Sequence, residues 1–280
     1  MGWAGHLSLD YYRVGQRTVG HDVHQGPLRV LQRLYPEGEQ VCHQVLVHPP
    51  GGLVGGDTLD LRVHLREGAH ALITTPGATR FYRSESDWAV QDTRIHLDSG
   101  ARLEWLPLET LAYPHCKGRN QLSFSLASGA QLMGWDVLAL GLPASGHVFD
   151  AGQFVQHVEI PGIWLERGCL DGTDTQLLHS PVGLAGHSVM ATLWLAQGDE
   201  LNRSRKETLL DLARAASVDP ALGAASAVKF GVTAPNPHMV VLRALGSRVE
   251  PVMSLLQSVW AAWRVAHWQM QPCAPRIWKM

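Results

Sequence analysis

The chain has 280 residues, 45% of them apolar, with a formal net charge of −2 and an isoelectric point near 6.7. That balance excludes a basic surface for nucleic acid or anionic membrane, so neither is expected as a partner. The apolar fraction suffices for a sizeable core, and no apolar run reaches the length of a membrane span. Met1 to His6 lacks the basic and apolar regions of a secretion signal, and His6 stands where a myristoylation motif needs Ser or Thr. Cys42, Cys116, Cys169 and Cys273 stand far apart with no C-x-x-C, which fits a reducing compartment; a cytoplasmic location is expected. The 15 histidines form neither H-E-x-x-H nor H-x-H.

The first distinctive stretch is HPPGGLVGGDTLDL, from His48 to Leu61. Gly51 and Gly56 reproduce the glycine spacing of a P-loop, and Thr58 stands at its hydroxyl position. Asp57, however, occupies the lysine position, where a carboxylate repels a triphosphate. Leu59 to Leu65 then alternates apolar and polar, which predicts a half-buried strand rather than a phosphate-binding helix. Gly51, Gly52, Gly55 and Gly56 therefore predict a tight turn, with Asp57 either its hydrogen-bonding anchor or a functional acid.

A repeat follows. VHLREGAHALITTP (Val63 to Pro76), IHLDSGARLEWLP (Ile95 to Pro107) and FSLASGAQLMGWD (Phe124 to Asp136) each read as strand, turn ending in Gly-Ala, strand. Gly68, Gly100 and Gly129 recur about thirty residues apart, an interval typical of stacked architectures. The prediction is a mainly β fold of stacked strand–turn–strand layers, β-helix-like or sandwich-like. Glu104 and Glu109 lie in the apolar segment LEWLPLETLAY. Carboxylates there must be paired, hydrogen-bonded or ligating. They fit a hydrolase pair, weak oxygen ligands for a divalent cation, or structural anchors satisfied by Arg80, Arg119 or backbone N–H groups. No nucleophile elbow is present, so no enzymatic activity is expected.

Further strands are predicted at Val155–Ile160, Ser188–Leu195 and Pro237–Leu245, and two C-terminal α-helices. The first carries a capping box at Ser204-Arg205-Lys206-Glu207 and ends before Gly223. The second starts at Pro251, with Met253, Leu256, Trp260 and Trp263 as its apolar stripe. Trp260, Trp263 and Trp268 together suggest an apolar face wider than the core needs, fit for a partner. No linker divides the chain, so residues 1–280 read as one domain.

Several of these stretches together resemble the urease accessory protein UreD family, called UreH in some bacteria. The shared elements are Pro-Gly-Gly, Gly-Gly-Asp, the Gly-Ala turn, and Thr-Thr-x-Gly-Ala-Thr-Arg-x-Tyr-Arg, which places Thr74, Thr75, Arg80, Tyr82 and Arg83 in register. LEWLPLETLAY resembles the family's Glu-Trp-x-Pro-x-Glu segment, and the terminal PRIWKM its Pro-Arg-Ile-Trp, which aligns Arg276 and Trp278. One departure is clear: where the family carries Gly-Arg-x-x-x-Gly-Glu, this chain has Gly141 to His147 without the arginine or the glutamate. The resemblance implies a maturation chaperone that binds apo-urease and, with UreF and the GTPase UreG, supports nickel insertion. It implies no tightly bound cofactor, only nickel in transit, and Asp57, Glu104 and Glu109 are the acids placed near such a route. Two other readings stand beside it: a plain adaptor without a metal path, and a cupin-like metalloenzyme.

Overall fold

The computed structural model describes residues 2–85, 87–217 and 227–279. The repeat becomes three successive coils. β5 (Thr58–Leu65) turns through Gly68 into β6 (His70–Thr74), β8 (Ala89–Leu97) through Gly100 into β9 (Arg102–Trp105), and β11 (Lys117–Leu126) through Gly129 into β12 (Gln131–Leu140). The three glycines lie at φ 66°, 68° and 78° and stack on one another. A Cβ on Gly129 would come within 3.2 Å of the Gly100 nitrogen, so both the left-handed turn and the close stacking call for glycine.

Each coil gives one strand to each of two sheets. The first has seven strands. Its middle, β1 (Ala4–Val14), β5, β8, β11 and β13 (Gln153–Ile160), is parallel throughout. β2 (Arg17–Gln25) and β14 (Trp164–Asp171) close the edges antiparallel. The second has ten strands and is parallel through β4 (Val41–Val47), β6, β9 and β12. Beside β4 lies β3 (Arg29–Val30). Beyond β12 the sheet continues antiparallel into β15 (Val189–Gln197), β17 (Met239–Gly246) and β16 (Lys229–Asn236). Two short strands, β7 (Thr79–Phe81) and β10 (Thr110–Ala112), pair with each other, and β10 also flanks β12. The predicted mainly β, β-helix-like stacking is what the chain adopts. A cupin is built on an antiparallel double sheet, so the parallel coils here are a different architecture.

Sequence alternation reports which faces are wet. In β5, Leu59, Leu61, Val63 and Leu65 point between the sheets, while Asp60, Arg62 and His64 face outward. β12 is buried at nine of its ten positions because both its faces are covered. Its inner face meets the first sheet, and its outer face meets α2 (Arg203–Arg214) and α3 (Val249–Trp268). Burying each large side chain of α3 stabilises this packing by roughly 1.5–3 kcal/mol.

The helices differ from the sequence reading in detail. Asn202, not Ser204, caps α2, its Oδ1 accepting from Arg205 N at 2.8 Å; the helix closes at Arg214, and Gly223 lies outside the described residues. Asn is as good a cap as Ser, and an Asn two positions ahead of Ser204 left the choice open to local geometry. α3 begins at Val249, which puts Pro251 inside its first turn, where the missing N–H costs nothing. A short helix, α1 (Thr175–His179), capped by Asp174, was not anticipated. The expected partner-facing tryptophans are interior: Trp260, Trp263 and Trp268 are 1%, 0% and 6% exposed. The second core on the back of the larger sheet absorbs the full width of the apolar stripe.

Candidate functional site

The glycine-rich turn is a joint between coils. Leu53 N donates to Arg80 O at 2.7 Å and Tyr82 N to Leu53 O at 2.9 Å, which fastens the turn alongside β7. Gly51 and Gly56 hold φ 78° and 92°. A Cβ on Gly52 would sit 2.3 Å from the Tyr82 ring, so the ring's position requires glycine there. Gly55 lies against Ser84. Asp57, 1% exposed, accepts from Trp3 N at 3.2 Å and Val54 N at 2.9 Å. Its buried carboxylate satisfies two backbone donors and ties the N-terminal segment to the turn. Arg80 points back at the same turn, its Nη1 3.4 Å from Gly51 O.

Thr74 and Thr75 face opposite ways. Thr74 Oγ1 donates to Leu106 O and accepts from Trp278 Nε1 at 2.9 Å, seating the C-terminal turn. Thr75 Oγ1 accepts from Leu108 N at 2.9 Å. Arg276 is exposed on that C-terminal turn.

Glu104 is fully buried on the helix-covered side of β9. Oε1 pairs with His70 Nε2 at 3.0 Å, and Oε2 accepts from Trp260 Nε1 at 2.7 Å. Arg264 Nε lies 3.3 Å from Oε2 without hydrogen-bond alignment, so that attraction is Coulombic. The partners anticipated from the sequence, Arg80 and Arg119, are elsewhere; Arg119 lies over the Trp88 ring. Glu109 is half-buried, between Leu108 and Thr110. The three acids thus stand in three separate environments.

A cavity of about 250 Å³ opens between the sheets. Leu7, Leu59, Leu61, Leu122 and Trp105 give it apolar walls, and the motif loop from Thr75 to Arg80, with Gly51 and His48, forms its rim. Pro76 and Gly77 are exposed while Asp136 at the other wall is buried, so the cavity leads from surface to interior. Asp57, Glu104 and Glu109 are not among its lining residues; Asp136 is the acid that is.

The polar wall is built by register. Gln91, Asn120 and Gln156 are paired neighbours on β8, β11 and β13, all at inward positions, and form a row of amides across three parallel strands. Gln91 Nε2 donates to Asn120 Oδ1 and Asn120 Nδ2 to Asp136 Oδ1, both at 3.3 Å, while Gln156 Nε2 donates to Asp136 Oδ2. Burial, reinforced by the nearby charge of Glu166 and opposed by the Gln156 hydrogen bond, raises the Asp136 carboxyl to about 7. Thr93 Oγ1, on a lining residue, and Gln156 Oε1, on the residue behind Asp136 that does not itself line the cavity, are buried with no hydrogen-bond partner among the described residues. Such atoms ask for water or a cation. At the rim, burial lowers the His48 imidazole, partly offset by Asp57; its Nε2 is likewise without a partner. A neutral imidazole at the mouth and a titrating carboxyl inside suit transient contact with a borderline divalent ion. These residues were missed in the sequence, although Gln91, Asn120 and Gln156 fall at inward positions of alternating strands, which is a readable signal.

Comparison with known proteins agrees over nearly the full length. The family profile described as UreD urease accessory protein matches residues 4–279. Similar chains, each described as urease accessory protein UreD, come from Leptothrix cholodnii (55% identical over 281 residues), Albidiferax ferrireducens (55% over 280) and Paracidovorax citrulli (54% over 280), with 100% of both chains covered in each case.

Proposed function

Because this chain belongs to the UreD urease accessory protein family, we propose that it binds apo-urease and, together with UreF and UreG, supports nickel insertion into the urease active site. A role in urease maturation comes with the family. The nickel step rests on one observation: a cavity with an exposed rim, apolar walls and a single buried acid, Asp136, on an amide row. Nickel is cargo here, not a resident cofactor. Apolar walls give the ion no strong hold, and oxygen and imidazole groups offer weak, exchangeable ligands. Asp57, Glu104 and Glu109 shape the route rather than line it: Asp57 holds the turn at the rim, Glu104 fixes β9 against α3, and Glu109 is the half-buried chain neighbour of the lining residues Leu108 and Thr110. The chain acts without turnover of its own, in the cytoplasm; among the described residues no helix is long and apolar enough to cross a membrane.

The test is co-expression of urease subunits and the other accessory proteins with the wild-type chain or Asp136→Asn. The expected result is an intact accessory complex with urease nickel content reduced at least severalfold. Full nickel loading by the variant, at normal yield, overturns the passage through this cavity.

A further inference from the structure

Glu37, His43 and Cys273 come together from three separate segments, with one ligand atom of each within 4.8 Å of the others. Glu37 lies in the turn before β4, His43 on β4, and Cys273 in the extended stretch between α3 and the C-terminal turn Arg276–Lys279. Bonds of roughly 2.0–2.3 Å in a tetrahedron impose ligand spacings of roughly 3.3–3.7 Å, so modest side-chain adjustment closes the set. Glu37 Oε1 already pairs with His43 Nε2 at 2.7 Å, and these side chains are only 13% and 6% exposed. Cys273 is a free thiol, half-buried.

Charged groups crowd this cluster. Arg264, 0% exposed, lies between two carboxylates: its Nη2 is 2.5 Å from Glu37 Oε2 and its Nε 3.3 Å from Glu104 Oε2. Arg102 is a second guanidinium in Coulombic range of Glu104, so Glu37 and Glu104 face two arginines. A divalent cation taken up with the Cys273 thiolate adds only one net positive charge, which the Glu37 carboxylate faces directly. Arg264 holds the far oxygen of Glu37 and so leaves the near one, Oε1, aimed at His43 and the thiol.

We propose that Glu37, His43 and Cys273 form a binding site for a borderline transition-metal dication of the zinc, cobalt and nickel class. One thiolate, one imidazole and one carboxylate match that class and exclude magnesium and calcium, which take oxygen ligands. The ion clamps the chain end onto β4. That end carries Trp278, whose ring packs on Trp135 and Trp260 at centroid distances of 5.4 and 5.7 Å, so the clamp secures the covering of the larger sheet. Binding displaces the thiol proton and so strengthens as pH rises. The site is independent of the passage reading: it lies outside the cavity and uses none of its lining residues.

Cobalt(II) is the probe, titrated into the purified full-length chain. A thiolate-to-cobalt charge-transfer band should grow and saturate, and saturating cobalt should protect Cys273 from iodoacetamide, read by peptide mass spectrometry. Cys273→Ser should abolish the band and weaken cobalt binding at least tenfold by calorimetry, while Cys169→Ser, at the exposed thiol, should change neither. The partly exposed His64, His96 and Asp98 cluster has no sulfur and gives no such band. Equal alkylation of Cys273 with and without cobalt in the wild-type chain, or a band that survives Cys273→Ser, overturns the proposal without reference to how any variant folds.

Discussion

Replacing Glu104 by glutamine separates a structural acid from a wall of the nickel route. The change keeps the size of the side chain and one acceptor oxygen but removes the charge. In the fold, Glu104 accepts from His70 and Trp260 and faces Arg264, all inside the second core. Breaking one partner of a buried charged pair costs about 3–5 kcal/mol. Arg264 keeps Glu37 and the Gln271 carbonyl, each at 2.5 Å, which places the cost near the lower end, about 3 kcal/mol. For a chain of this size each kcal/mol lowers the melting temperature by roughly 2–4 °C, so a drop of about 6–12 °C is expected by circular dichroism. Glu109→Gln, at a half-buried position, should shift stability by no more than about 0.5 kcal/mol. A melting temperature for Glu104→Gln within about 1 °C of wild type refutes the structural assignment. If urease nickel content also fell in that stable variant, Glu104 would belong to the route.

Two further predictions follow from the cavity and its rim. The fold holds the Asp136 proton up to a pH of about 7, whereas the unfolded chain releases it near an ordinary carboxylate value of about 3.9, so this group's stabilisation is lost as pH rises through roughly 4 to 7. Asp136→Asn should therefore flatten the fall in urea-unfolding free energy across that window, and an unchanged slope counts against the buried, titrating carboxyl. Gly52→Ala must displace the Tyr82 ring, a cost of about 1–3 kcal/mol in a packed site, seen as a lower urea midpoint; a neutral result shows that the turn and the ring are not in contact.

What the sequence disclosed and what it hid divide along the range of the interactions. The coils were legible because a glycine every thirty or so residues and a period of two are local signals, and each recurs at Gly68, Gly100 and Gly129. Asp57 was legible as a turn residue because its partner Val54 N is three residues away. The environment of Glu104 was not, because Trp260 and Arg264 are brought to it only when α3 folds over the second sheet; spacing in LEWLPLETLAY carries no information about that. The tryptophans misled for the same reason: an apolar stripe shows that a face is covered, not by what, and the larger sheet supplied the cover. The amide row is the instructive middle case. Gln91, Asn120 and Gln156 each occupy an inward position that alternation alone identifies, and a polar group there needs partners. Only the parallel register, which sets the three side by side opposite Asp136, turns three isolated exceptions into one polar wall. A polar residue at an inward position of one strand is a weak signal. The same exception on successive coils of a stacked fold is a strong one, because in-register parallel strands align the same inward position from coil to coil.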